Sequence, residues 1–198
     1  MPADGADTKA RLLTEARDLY LEAGPAHFSL REVARRAGVS AAAVYRHYDG
    51  KEALFDQVCA AGLQVFYTYL VRSLAEPTPE RRLRSSTTQY LHFGLENPRD
   101  YRVLFMGAAE DMGTEERPEK QGKPHATFQF LIDRVRECMD AKILRDGNAE
   151  EVSTVIWAHL HGLVSLRLAG QLARAGNAAE FGRFYHRSTE QLIKALGR

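Results

Sequence analysis

Cysteine is scarce in this chain of 198 residues: only Cys59 and Cys138 are present, too few for a disulfide framework or a cysteine zinc module. Both lie in apolar helical stretches and read as buried free thiols. Glycine and proline number 15 and 7, against 44% hydrophobic and 27% charged residues, which excludes collagen, a long coiled coil and a mostly disordered chain. No apolar run approaches the ~20 residues of a membrane span. The opening MPADGADTKARLL carries acids and lacks the apolar core of a signal peptide, so a soluble, cytoplasmic protein is expected. Chemical signatures are missing as well: there is no phosphate-cradling glycine loop, no nucleophile elbow and no HExxH, and no spacing gathers the carboxylates and histidines. No catalytic site, metal or cofactor is expected. Nor does any segment alternate with period two for long enough to form a strand. What remains is an all-helical chain of 22.2 kDa, enough to bury roughly 70% of its unfolded surface without staples.

The formal net charge of +1 hides an uneven distribution. Residues 1–28 carry three basic and five acidic groups, and residues 52–198 carry nineteen of each. Between them, Arg31, Arg35, Arg36, Arg46 and Lys51 face only Glu32 and Asp49, so the basic excess sits in 29–51.

Hydrophobic period and capping signals predict roughly nine helices. The first, over 8–23, carries Leu12, Leu13, Ala16, Leu19, Tyr20 and Ala23 on one face and stops at Gly24-Pro25. Ser29, with Glu32 as its box partner, opens a short helix over 30–37 that breaks at Gly38. Ser40 caps another, which ends near Asp49-Gly50. A long helix over 51–74 follows, then one marked by Leu83, Tyr90, Leu91 and Leu95, and a short one opened by Asn97-Pro98. Residues 107–124 read as a mobile loop. Phe128, Leu131, Ile132, Val135 and Met139 mark the next helix, and Asn148 and Asn177 cap two final helices over 149–174 and 178–196.

Residues 29–51, SLREVARRAGVSAAAVYRHYDGK, have the spacing of a helix-turn-helix. Ala34 is small where the second helix must cross, Gly38 suits a turn with positive φ, and Val44 plugs the second helix into Val33, Ala37 and Val39. Residues 41–47 then form a recognition helix facing the major groove. Ala41, Ala42 and Ala43 can offer apolar contact, to a thymine methyl for example, or a close approach. Arg46 alone can read guanine bidentately, and can equally hold phosphate. Tyr45, His47, Tyr48 and Lys51 would mainly hold phosphates, and the two cap residues Ser29 and Ser40 complete the candidate DNA-contacting set.

This segment resembles the DNA-binding domain of the TetR family of bacterial transcriptional regulators. The features that carry the resemblance are the first helix, Ser29-Leu30, AGVS at 37–40, Val44-Tyr45, His47-Tyr48, and Lys51 with Leu54, over about the first sixty residues. Tyr48 stands where Phe is usual, and Ala42 where Gly or another small residue is common. The resemblance implies a repressor-type homodimer that binds a palindromic operator, with a reader domain over 1–52 and an effector-binding and dimerisation domain over 53–198. Activation instead of repression stays open. Asn97-Pro98 with Tyr101-Arg102 and Phe105, followed by Trp157 and His161-Gly162, further resembles the branch named for a Trp-His-Gly signature.

Within the second domain, Tyr90, Phe93, Tyr101, Phe105, Phe128, Trp157 and His161 are the candidate effector pocket, with core packing as the competing reading. Trp157 and His161, four apart, share a helix face. His159 and His161 point about 200° apart and cannot chelate one metal from that helix. For His161 a core histidine bonded to a carbonyl is the first reading and ligand contact the second; Gly162 would permit close helix approach. Leu160, Leu163, Leu168, Leu172, Phe181, Phe184, Tyr185 and Leu192 are candidates for an isologous dimer interface, or for burial within the monomer. On this reading, effector binding among residues 83–172 would tilt the helix over 51–74 and change the spacing of the two readers. The alternatives are a small-molecule-binding helical protein or enzyme with an aromatic and histidine pocket and no DNA role, and an adaptor that has lost DNA binding.

Overall fold

A computed structural model describes residues 3–107, 126–172 and 176–198. The chain forms α1 (Ala3–Ala23), α2 (Leu30–Ala37), α3 (Ala41–Tyr45), α4 (Lys51–Arg72), α5 (Pro79–Glu96), α6 (Pro98–Phe105), α7 (Ala126–Asp140), α8 (Ala149–Leu168) and α9 (Ala178–Leu196). Among the described residues no strand occurs, and the one β-like pairing is an isolated bridge between Leu144 and Gly197. The architecture is all-α, as expected from the helical periodicity. The loop read over 107–124 lies, apart from Gly107, outside the described residues.

Helix ends follow local chemistry. Asn148 accepts the backbone N–H groups of Glu150 and Glu151, and Asn177 with Glu180 forms a complete capping box. Thr78 caps α5 with Pro79 at its first position. The expected helix over 149–174 is shorter, ending at Leu168. Gly170 adopts φ 71, and the N–H of Gln171 returns to the carbonyl of Leu166, a left-handed stop that leaves Leu172 beyond the helix.

The helices assemble into two compact units, one holding α1, α2, α3, α6 and α4 as far as Gln64, the other holding the rest of α4 with α5, α7, α8 and α9. The division thus falls inside α4, where the sequence suggested a boundary at 52/53, and α6 groups with the first unit. In that unit Leu12, Leu19, Val33, Val44 and Leu54 are buried around a triangle of rings, Tyr20, Phe28 and Phe55, whose centroids lie 4.4–6.2 Å apart. The return of α6 completes this core. Val103 joins the buried cluster, the Leu104 side chain lies where a Cβ on Gly62 would be 3.3 Å away, and Tyr101 is wholly buried. Asp100 accepts from Arg17 at 2.9 Å and Asp18 from Arg99 at 2.7 Å, so opposite charges alternate between α1 and α6.

In the second unit α5 packs against α7, α8 and α9, with α8 between α7 and α9. Ile132, Val135, Ile156, Leu160, Val164, Phe181 and Tyr185 form its centre. Some polar groups there are paired: the Tyr185 hydroxyl donates to the Thr87 carbonyl at 2.8 Å, and Glu137 of α7 accepts from both Arg82 and Arg134, while the buried Oε1 of Gln89 and Oγ1 of Thr189 have no hydrogen-bond partner among the described residues. The segment Lys51–Ala75 is long and apolar enough to cross a membrane by length and composition, which the search for apolar runs did not anticipate. Part of its apolar surface is core: Leu54, Phe55 and Val58 in the first unit, Phe66, Tyr69 and Leu70 in the second, while Tyr67 and Leu74 are exposed.

Phe55 touches both other members of the ring triangle, so Phe55→Ala should cost about 3–5 kcal/mol of unfolding free energy, measurable as a lower urea midpoint.

Candidate nucleic-acid interface

The 29–51 segment folds through local hydrogen bonds before any tertiary contact is counted. The Ser29 hydroxyl accepts the Glu32 N–H at 3.3 Å and opens α2. Glu32 does not reach back as a capping-box partner, because its carboxylate is held by Arg35 at 2.8 Å and by Arg36 at 3.3 Å. Those guanidinium groups, Arg35 foremost, hold Glu32 down at about 2. Gly38 takes φ 68 and ψ 31, and the Val39 N–H donates to the Ala34 carbonyl at 3.0 Å, which turns the chain tightly. The Ser40 hydroxyl then accepts the Ala43 N–H at 3.2 Å and opens α3. Val44 is fully buried and pins α3 onto α2 through Val33, Ala34 and Ala37.

On this frame α3 exposes Ala42, Tyr45, Arg46 and His47, while Ala41, Ala43 and Lys51 are half-buried. Tyr45 is 53% exposed. Tyr48 departs from the expected phosphate contact: it is 5% exposed and packs in the hydrophobic core, and its hydroxyl finds no partner among the described residues. The aromatic ring has been drawn inward because it occupies a position the core needs filled.

The charge excess is smaller in effect than in count. Arg36 bridges Glu22 at 2.7 Å as well as Glu32, and Arg35 is bound to Glu32. Among the described residues Arg31, Arg46 and Lys51 make no ion pair.

The candidate pocket residues fall into two groups. Phe128, Trp157 and His161 meet in series as tilted rings with centroids at 5.7 and 5.8 Å, and the Tyr90 hydroxyl lies 3.5 Å from Nδ1 of His161. Phe66, not anticipated, links Tyr90 to Phe93 with centroids at 5.6 and 4.7 Å. Tyr101 and Phe105 belong to the first unit, where their rings meet each other at 5.1 Å. His159 points elsewhere, towards the Ser188 hydroxyl at 3.2 Å. Among the described residues no group of three or more His, Cys, Asp or Glu is placed to hold a metal ion.

The dimer candidates also divide. Leu160, Phe181 and Tyr185 are buried within the monomer, because α8 and α9 pack on α5 through them. Leu163, Leu168, Leu172 and Leu192 are half-buried, and Phe184 is exposed. Val155 and Leu166, outside the set expected from the sequence, face outward. With Ala158 and Gly162 they form a second stripe on α8, spaced three, four and four residues apart, and a Cβ on Gly162 would meet nothing within 4 Å. Among the described residues, Gly162 therefore serves no close approach between helices.

Comparison with known proteins adds the following. Residues 12–58 match the family model for bacterial regulatory proteins of the tetR family. Residues 83–192 match that for the tetracyclin repressor-like C-terminal domain, a description without the Trp-His-Gly label. An HTH-type transcriptional repressor of Mycobacterium tuberculosis is 37% identical over 79 residues, covering 40% of each chain. An HTH-type transcriptional regulator of Mycobacterium bovis matches with the same figures, so the match spans two-fifths of these relatives' length. Among solved structures, a Rhodococcus protein of unknown function aligns over 100% of both chains with TM-score 0.77 and 23% identity. A TetR family transcription regulator from Marinobacter aquaeolei covers 97% of this chain and 98% of its own, with TM-score 0.77 and 18% identity. At these identities the structures speak for the fold alone.

Two outcomes test this description. Tyr48→Phe removes an unpartnered buried hydroxyl and should stabilise the chain by about 1 kcal/mol with DNA affinity unchanged; a loss of affinity would return Tyr48 to the phosphate contacts. Burial holds His159, His161 and His186 below the usual histidine range, and His92 adds to the effect on His186. The unfolded chain therefore takes up protons that the folded chain resists. The contribution is complete above about pH 6.5 and declines as the pH falls below it, so the urea midpoint should drop between about pH 7.5 and 5.5. Replacing the three histidines by Gln should flatten that drop.

Proposed function

Because the chain belongs to the TetR family of bacterial regulatory proteins, we propose that it is a transcriptional regulator that binds a palindromic operator as a homodimer and releases it when a small molecule binds. The observation that carries this reading is the short α3, capped by Ser40 and pinned by Val44, with Arg46, Tyr45 and His47 turned outward and free of acidic partners among the described residues. One such helix reads too few bases alone. Two, spaced ~34–36 Å apart, reach successive major grooves. The name of the Mycobacterium tuberculosis relative, a repressor, favours repression as the direction of control. The reading assigns no catalytic step and puts the protein in the cytoplasm with its DNA.

Val155 and Leu166 of α8 and Phe184 of α9 supply an apolar face for the second protomer, 49%, 38% and 39% exposed in the single chain. Phe128, Trp157, His161 and Tyr90 are the first candidates for effector contact, since Trp157 is partly open while its neighbours are packed. Residues of α4 contribute to both units, which makes this helix the covalent route by which an effector would act on the reader. To shift operator occupancy from 99:1 to 1:99, that effector must distinguish the two states by about 5.5 kcal/mol.

Selection of random duplex DNA by the purified protein, followed by anisotropy at two salt concentrations, tests the reading. An enriched inverted repeat with a steep salt slope is expected; no binding even at low salt would overturn it. Lys51→Ala should weaken binding to all sequences and reduce the salt slope by about one unit. Leu166→Asp and Phe184→Asp should yield monomers by native mass spectrometry, whereas Leu160→Ala should lower stability by about 2–5 kcal/mol.

A further inference from the structure

α3 has a single exposed edge. Ala42, Tyr45 and Arg46 stand three and four residues apart and so share one helix face, and all three are exposed. Ala41 and Ala43, which the sequence alone leaves equivalent to Ala42, are half-buried beside it, and Val44 is turned into the core. The Ser40 hydroxyl is engaged as the helix cap. Arg46 follows the last helical residue with φ −73 and ψ −19, so it continues the same face instead of bending away.

Each member of this edge has restricted chemistry. Ala42 ends in one methyl group, which gives no hydrogen bond and can distinguish bases only through the C5 methyl of thymine. Arg46 is the one side chain of the edge with the forked donors that match guanine O6 and N7. Of the other cations in the segment, Arg35 and Arg36 are bound by Glu32 and Glu22, while Arg31 and Lys51 sit at the starts of α2 and α4 and are not part of this edge. A residue as small as Ala42 also lets the helix backbone sit deep in the groove, which brings Arg46 within reach of a base edge. Four residues of helix rise about 6 Å, close to two base-pair steps.

We propose that the operator is read by this edge, with Ala42 against a thymine methyl and Arg46 on a guanine about two base pairs away, once in each half-site, while Tyr45 serves the backbone. The inference rests on the DNA-binding reading above and names the bases that reading leaves open.

The test uses the full-length protein and the duplex recovered by selection. Each thymine is replaced in turn by deoxyuridine, which lacks only the methyl group, and each guanine by 7-deazaguanine, which lacks the N7 acceptor. Affinity is read by anisotropy at fixed salt. One thymine per half-site should lose about fourfold on removal of its methyl. One guanine about two base pairs from it should lose about tenfold. Arg46→Ala, which removes the donors altogether, should abolish the 7-deazaguanine effect and leave the uracil effect. Ala42→Gly should do the reverse. A selected duplex that tolerates every replacement, or penalties that survive in both variants, would overturn the proposal while leaving DNA binding intact. Failure to select any duplex, with no salt-dependent binding, would overturn the DNA-binding reading itself and this inference with it.

Discussion

The burial of Val44 is the contact on which the functional reading depends. α3 is five residues long, far below the length at which an isolated helix holds together in water. Its geometry must come from elsewhere. Ser40 satisfies one amide at its start, Gly38 supplies the left-handed turn before it, and Val44 locks its inner face onto α2. The outer face can then be spent on Ala42, Tyr45 and Arg46, residues with little to contribute to folding. α1, α4 and α6 support this arrangement from behind through the Tyr20, Phe28 and Phe55 rings and the buried Val103.

Charge is organised by the same division of labour. The basic excess of 29–51 suggested a broad cationic patch, yet Glu32 and Glu22 hold Arg35 and Arg36 along α2. These exposed pairs contribute little to stability individually, with a median of about 0–1 kcal/mol. Their consequence lies in specificity: two of the five cations are removed from general phosphate attraction. Those remaining unpaired among the described residues are Arg31, Arg46 and Lys51, near the starts of α2 and α4 and the end of α3. In the second unit, buried Arg134 is tolerated because Glu137 receives it together with Arg82.

Much of this was legible in the residues themselves. Caps at Ser29, Ser40, Asn148 and Asn177 are local chemistry, set by a side chain and an amide two or three residues away. Helical stripes such as that of Phe128 to Met139 depend only on a period, and the helix-turn-helix is a spacing of small, flexible and branched residues. What the same reasoning misjudged were partners distant in sequence. α6 was assigned to the second domain, but the ion pairs of Arg99 and Asp100 with Asp18 and Arg17 join it to the first unit. Leu160, Phe181 and Tyr185 looked as available for a partner chain as Phe184, since a hydrophobic side chain does not declare which apolar surface it will meet.

The sequence by itself determined the helical class, the capped helix starts, the reader motif and the family resemblance, because each arises from contacts within a few residues or from a pattern along one helix. Only the tertiary structure decided which of three adjacent alanines faces outward, that Tyr48 is a core residue, which arginines are already paired, and which face of α8 is left uncovered by its own chain. Those outcomes depend on burial and on charges brought together from different helices, and neither is a property of any single stretch of chain.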